Sequence, residues 1–275
     1  MKNCLYAAVV TGALILTGCS DTAVANPSET ELTTAASASS VQTTVQSVEL
    51  TDIQKANLDE FFNSIDIADE DILKGNLDGL IDVAMLESER TITYGESRTK
   101  KLIDKVKNSE QYHLLYADGS VKMETAVKGS KMKLAVCIDS TASSMFFEGN
   151  TIYSYYPIEK TGYKVTLSEE EMQQYTPESL LDSMLYCPEN DDEAVNISSV
   201  SVDSENFICE LFEGYAYIFR EDGSIAMFFD NSNCFTARVE TDDISDDIFK
   251  LPADYATIDY NQIIENLQSS AETNK

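Results

Sequence analysis

The sequence predicts an α+β chain: helices first, then an antiparallel sheet of about eleven strands with a helical insertion between the sixth and the seventh. Three observations predict it. Apolar residues recur at three- and four-residue intervals up to about Ser109 and at every second residue beyond it, a switch from helical to strand periodicity. The alternating runs are punctuated by Asp118-Gly119, Lys128-Gly129 and Glu148-Gly149-Asn150, sequences that turn a strand back on its neighbour. A polar stretch holding Thr176-Pro177 then interrupts the strands before alternation resumes near Val195.

The chain starts with a different kind of segment. Residues 1–18 have the layout of a secretory signal, with Lys2, an apolar run from about Leu5 and small residues at its end. The run is too short to span a bilayer. Cys19 directly follows Leu16-Thr17-Gly18, the pattern of a bacterial lipobox, whose cysteine is acylated and becomes the first residue of the mature chain. Two or more acyl chains on one residue give stable anchoring, since each buried methylene contributes ~0.8 kcal/mol and a single chain is marginal. From Cys19 to residue 49 the chain is rich in Ser, Thr and Ala and has no Lys or Arg, the composition of a flexible tether. A tether of that length reaches roughly 30 Å from its anchor.

Residues 50–96 read as a helical segment. Ile53, Ala56, Leu58, Phe61, Phe62 and Ile65 form one apolar face behind a Thr51-Asp52 start signal. A second helix is expected over residues 77–86, with Leu77, Leu80, Ile81, Ala84 and Met85 on one side. The acidic residues between them do not make a calcium loop. Gly79 at the sixth position would put Lys74 at the first and Met85 at the twelfth, where carboxylates are required. A third helix is expected over residues 98–109, with Leu102, Ile103 and Val106 inward.

Strands are then expected near residues 112–116, 121–127, 132–138, 143–147, 151–155 and 163–167. Two short helices follow, over residues 168–175 and 177–185, the second capped by Thr176 with Pro177 in its first position. Five more strands are expected, at residues 195–202, 207–212, 215–220, 225–230 and 234–240. Several of these are apolar on both sides; Tyr217 and Phe219 alternate with Ile218, and Met227 and Phe229 with Phe228. A sheet apolar on both faces must be covered on both. Residues 257–275 read as a C-terminal helix or tail.

Charge and cysteine content narrow the function classes. The chain carries 48 acidic and 19 basic residues, and loss of the signal removes only Lys2, taking the formal charge from −29 to −30. That excludes a nucleic-acid partner, because phosphate backbones are held by clustered Lys and Arg. Attachment to a membrane therefore comes from the acyl chains on Cys19 and not from a basic surface. Cys137, Cys187, Cys209 and Cys234 remain for an exported chain and admit two disulfides in three pairings, or serve as buried apolar fillers. No metal site is expected: there is no C-x-x-C pair, and His113 is the only histidine. His113 lies at a strand start with no nucleophile marked beside it. The carboxylate runs at 169–171, 191–193 and 242–247 sit at loops or helix starts, so no catalytic residue and no cofactor is assigned.

The element order resembles a known family over residues 98–255, most specifically in Gly162-Tyr163 after Pro157-Ile158-Glu159-Lys160, in Cys209-Glu210-Leu211-Phe212 and in Phe249-Lys250-Leu251-Pro252. It is similar to the LolA/LolB-like lipoprotein-carrier superfamily, from which it departs by its extra segment at 50–96 and, relative to the soluble carriers, by its own acylation. The resemblance implies a half-open antiparallel β-barrel over residues 97–256, with the inserted helices as a lid over an apolar cavity. Met123, Met132, Leu134, Val136, Tyr217, Phe219, Met227 and Phe229 are the candidates to line that cavity. The expected function is non-enzymatic binding of a lipid, an acyl chain or a lipid-modified partner. The alternative is a surface-displayed interaction or envelope-sensing domain with a closed core. The expected location is the outer face of the cytoplasmic membrane; Ser20 after the acylated cysteine also permits the outer membrane.

Overall fold

The structure is a computed structural model that describes residues 49–67 and 89–263, apart from 120, 187, 203–204 and 231–232. The sheet and its helices belong to one unit, Asp52–Lys275. The first elements are helix α1 (Asp52–Ser64), strand β1 (Arg90–Thr93) and helix α2 (Arg98–Lys107). Ser97 caps α2, its side chain accepting the Lys100 backbone N–H, and Ile103 and Val106 are buried. The helix expected over 77–86 and the rejected calcium loop lie outside the described residues.

Two meanders follow. The first comprises β2 (Gln111–Asp118), β3 (Val121–Lys128), β4 (Lys131–Ile138), β5 (Thr141–Glu148), β6 (Thr151–Tyr156) and β7 (Thr161–Thr166). Gly129 and Gly149, at φ 59° and 57°, supply the left-handed turn residues, and Asp139 does the same at φ 50° between β4 and β5. Helices α3 (Glu169–Met172) and α4 (Pro177–Met184) then lead to β8 (Ala194–Val202), β9 (Glu205–Phe212), β10 (Tyr215–Arg220), β11 (Ile225–Asp230) and β12 (Asn233–Glu240). Both inserted helices carry reciprocal capping boxes, Ser168 with Glu171 and Thr176 with Ser179.

β12 pairs with β2, so the meanders join into one sheet of thirteen strands, ordered β1-β8-β9-β10-β11-β12-β2-β3-β4-β5-β6-β7-β13. The sheet is open, with β1 and β13 at opposite edges. Its strand count corrects the expected eleven. β1 and β13 (Ala256–Asp259) are four-residue edge strands whose partners lie far away in sequence, and so short a segment shows no alternation of its own. β13 corrects a second expectation: the C-terminal segment begins as a strand, parallel to β7, with Thr257 opposite Gly162. The division at residue 97 also moves, because β1 lies within the sheet and α1 packs against it.

Both faces of the central strands are buried, and each has its own cover. On one face Tyr112 Oη donates to Pro177 O at the start of α4 (2.8 Å), Phe147 meets Tyr175 (5.6 Å between rings) and Tyr217 Oη donates to Tyr186 O (2.9 Å). α2 lies on this side as well, joined to α4 by the Lys107–Asp182 ion pair (3.0 Å). On the other face Lys122 donates to Ile65 O at the end of α1 (3.0 Å), Lys128 to Ile244 O (2.7 Å), and Ala126 packs with Ile244 and Phe249. Phe249, in the Phe249-Lys250-Leu251-Pro252 fragment, is thus a cover residue of that second face.

Glu210 fixes α2 to the sheet. Its carboxylate, on β9 and 2% exposed, accepts the backbone N–H groups of Arg98 (2.7 Å) and Thr99 (2.8 Å) and the Thr99 hydroxyl (2.7 Å). A buried anion is tolerable here because the helix N-terminus presents unsatisfied donors and the positive end of its dipole. Glu210→Ala leaves the two buried Thr99 donors and the part-buried Arg98 N–H without their acceptor and is expected to cost about 3 kcal/mol or more. Urea unfolding followed by circular dichroism measures it. A loss below about 1 kcal/mol would mean that α2 is held by its apolar face alone.

Candidate functional site

Six of the eight candidate residues share the face covered by α2 and α4. In the first meander Met123 stands between Tyr116 and Val136, and Met132 and Leu134 stand opposite Val127 and Thr125. In the second, Tyr217 stands between Glu210 and Phe228, and Phe219 is opposite Ile208. Rings cross the join between the meanders: Tyr116 lies 5.8 Å from Phe228 and 6.4 Å from Phe235. All six residues are buried. The face is continuous, apolar and rich in sulfur and aromatic groups, a surface that adapts to irregular apolar shapes.

Met227 and Phe229 are on the opposite face, which corrects the expected set. A register shift between Ile218 and Phe219 places Ile218 opposite Met227 and Tyr217 opposite Phe228. Phe228 therefore joins Tyr217, while Met227 packs with Cys209, Leu211, Ile218 and Val200, with Phe229 against them. In a strand apolar on both sides, composition does not mark which alternate set faces which way.

The inner cover is aromatic where it meets the second meander. Tyr186 stacks on Tyr215 with centroids 4.4 Å apart and planes 6° from parallel, and it meets Phe212 edge-on at 5.8 Å. Tyr94, in a short 3-10 turn before α2, reaches Phe212 from the other side at 6.2 Å. Within α4 and the residue after it, Leu181, Met184 and Leu185 are buried.

The opposite face carries a charged cluster that the sequence reading missed. His113 Nε2 lies 2.9 Å from Glu124 Oε1, its Nδ1 lies 3.6 Å from Glu240 Oε2, and Lys133 Nζ lies 2.6 Å from Glu124 Oε2. Arg238 pairs with Glu240 at the outer end. The available signal was alternation itself: Lys122 and Glu124 take turns with Met123 and Thr125, marking a strand whose second side holds charge. Burial pushes the Glu124 carboxyl up, but the His113 hydrogen bond and the charges of Lys133 and His113 outweigh it and hold the group below its ordinary value of 4.5. A carboxyl lowered by folding stabilises the native state above the unfolded value and loses that contribution as pH falls through the folded value. Melting temperature is therefore expected to drop as pH falls below about 4.5, and Glu124→Gln should flatten part of that drop while lowering stability at pH 7. Parallel melting curves for both chains between pH 3 and 7 would contradict the assignment.

Cys137, Cys209 and Cys234 form no disulfide with one another; Cys187 lies outside the described residues. Burial pushes the Cys209 thiol up to about 12 and that of Cys137 to about 11, which keeps both as neutral fillers. Among the described residues no group of three His, Cys, Asp or Glu side chains could hold a metal ion, and no helix is long and apolar enough to cross a membrane. A cavity of about 230 Å³ opens between Ile67 and the β11–β12 end, lined by Arg220, Ser224, Ile225, Thr236 and Arg238 among others. None of the eight candidate residues lines it.

No family model matches the sequence, and no curated protein matches it. Among solved structures the chain is similar to an uncharacterized conserved protein from Thermus thermophilus, at 5% identity and a TM-score of 0.32, over 59% of this chain and 99% of that one.

Proposed function

We propose that the protein is a non-enzymatic binding protein of the cell envelope, anchored through an acylated Cys19 to the outer face of the cytoplasmic membrane. It takes a lipid, an acyl chain or a lipid-modified partner. The binding interior is the sheet face that carries Met123, Met132, Leu134, Val136, Tyr217 and Phe219, in a LolA-like half-barrel with α3 and α4 as the lid. One observation carries the reading. A broad apolar sheet face is covered by α2 and by the short, self-capped α4, which the Tyr112–Pro177 hydrogen bond joins to the sheet and the Lys107–Asp182 ion pair joins to α2.

A self-capped helix keeps its own cap when it moves away, so opening breaks few hydrogen bonds. A ligand that replaces its apolar contacts then restores burial of the sheet face. The open thirteen-strand sheet, the Leu16-Thr17-Gly18-Cys19 sequence and the Ser/Thr/Ala-rich stretch after it support the same reading. Burial of all six residues favours the alternative, a displayed interaction or sensing domain whose core is closed.

The test has two arms. Metabolic labelling with an alkyne fatty acid should mark the native chain and spare Cys19→Ala; an unmarked native chain would remove the anchor. Native mass spectrometry of residues 20–275, which keep the whole Asp52–Lys275 unit, should find a bound mass of lipid size after incubation with membrane lipids. A mass of the bare chain throughout would favour the closed core.

A further inference from the structure

Thr125 stands in the middle of the apolar face. It lies opposite Leu114 on β2 and Leu134 on β4, with Met123 and Val127 on either side along its own strand. Its residue is 0% exposed, and its Oγ1 finds no hydrogen-bond partner among the described residues. A threonine hydroxyl can donate one hydrogen bond and accept two. Buried polar groups left without any partner are few in folded proteins, because leaving water without a replacement bond is costly. Valine has the same shape without that penalty, so a hydroxyl at this position needs a partner that arrives from elsewhere.

Four polar groups on this side that flank the face are engaged within the chain. Tyr112 Oη donates to Pro177 O, Tyr217 Oη to Tyr186 O, Glu210 holds the start of α2, and Lys107 pairs with Asp182. The face therefore presents a ligand with the Thr125 hydroxyl in apolar surroundings and, among the described residues, no charged group left to balance a buried charge. An unpaired charge buried there would cost far more than a neutral group.

We infer that Thr125 is the polar anchor of the binding interior, and that the ligand is an elongated apolar molecule bearing a neutral hydroxyl, carbonyl or ester group that meets Thr125 Oγ1. This rests on the reading of the face as a binding interior, and it selects a ligand class within that reading. A pure hydrocarbon chain would leave the hydroxyl unpaired, and a free carboxylate would arrive charged. Thr125 acts here by touching the ligand.

Displacement of a bound fluorescent apolar dye, N-phenyl-1-naphthylamine, tests it, with 1-decanol and 1-chlorodecane as competitors of nearly equal length. In Thr125→Val the competition by 1-decanol is expected to weaken about tenfold, while that by 1-chlorodecane stays unchanged. Thr125→Ser should restore the 1-decanol response. The ligand-free Thr125→Val chain should melt no lower than the native chain, because it loses an unpaired hydroxyl and keeps the shape. Equal 1-decanol competition in the native chain and Thr125→Val would overturn the anchor and leave the binding interior standing. A marked fall in the melting temperature of Thr125→Val would show the hydroxyl already bonded within the chain, and would overturn it too. Failure of the dye and both competitors to bind the native chain would overturn the interior itself, and this inference with it.

Discussion

A sheet that is apolar on both sides cannot face water on either, and that constraint organises this molecule. Each Leu, Phe or Met withdrawn from water contributes roughly 1.5–3 kcal/mol, so uncovering either face costs more than most other changes could recover. The chain covers one face with α2 and α4 and the other with α1, Ile65 and the Ile244–Phe249 stretch. Glu210 shows how far the constraint reaches. A carboxylate sits inside the sheet because the start of α2 needs acceptors, and the helix is placed where it can cover the face.

The two faces are solved differently. The one under α2 and α4 is mainly apolar, with aromatic rings running from Tyr94 through Phe212 and Tyr217 to Phe228, Tyr116 and Phe235 and with the Glu210 carboxylate held by the start of α2. The other accepts charge: Lys122, Glu124, Lys133 and His113 lie on it, paired with one another or with the backbone of the covering segments. Paired charges fix geometry more tightly than apolar contacts, which tolerate sliding and exchange of partners. The short self-capped α4 lies over the more apolar face.

Much of this architecture was legible in the sequence. Period-two runs closed by Asp118-Gly119, Lys128-Gly129 and Glu148-Gly149-Asn150 marked the hairpins because the turn chemistry is local, and Thr176-Pro177 marked the start of α4 for the same reason. β1 and β13 were hidden because Arg90–Thr93 and Ala256–Asp259 become strands only through partners about a hundred residues away. The misplacement of Met227 and Phe229 has one cause, the register shift at Ile218/Phe219, which no local pattern announces when both sides of a strand are apolar. Glu210 and Glu124 stood in view as acids between apolar neighbours, but their partners, the α2 N-terminus and the His113–Lys133 pair, come from other parts of the chain.

The central claim is that α3 and α4 open from the sheet as a unit of their own. Native-state hydrogen exchange tests it most directly, by comparing the amides of Leu180 and Leu185, bonded within the inserted helices to Thr176 O and Leu181 O, with those of β2 to β4. The account predicts that the helical amides exchange through a local opening, at a free energy several kcal/mol below that of the sheet and with little dependence on urea. Exchange of both sets at one common free energy, with rates that climb together as urea is added, would show that the helices leave only when the whole molecule unfolds, and would contradict the account.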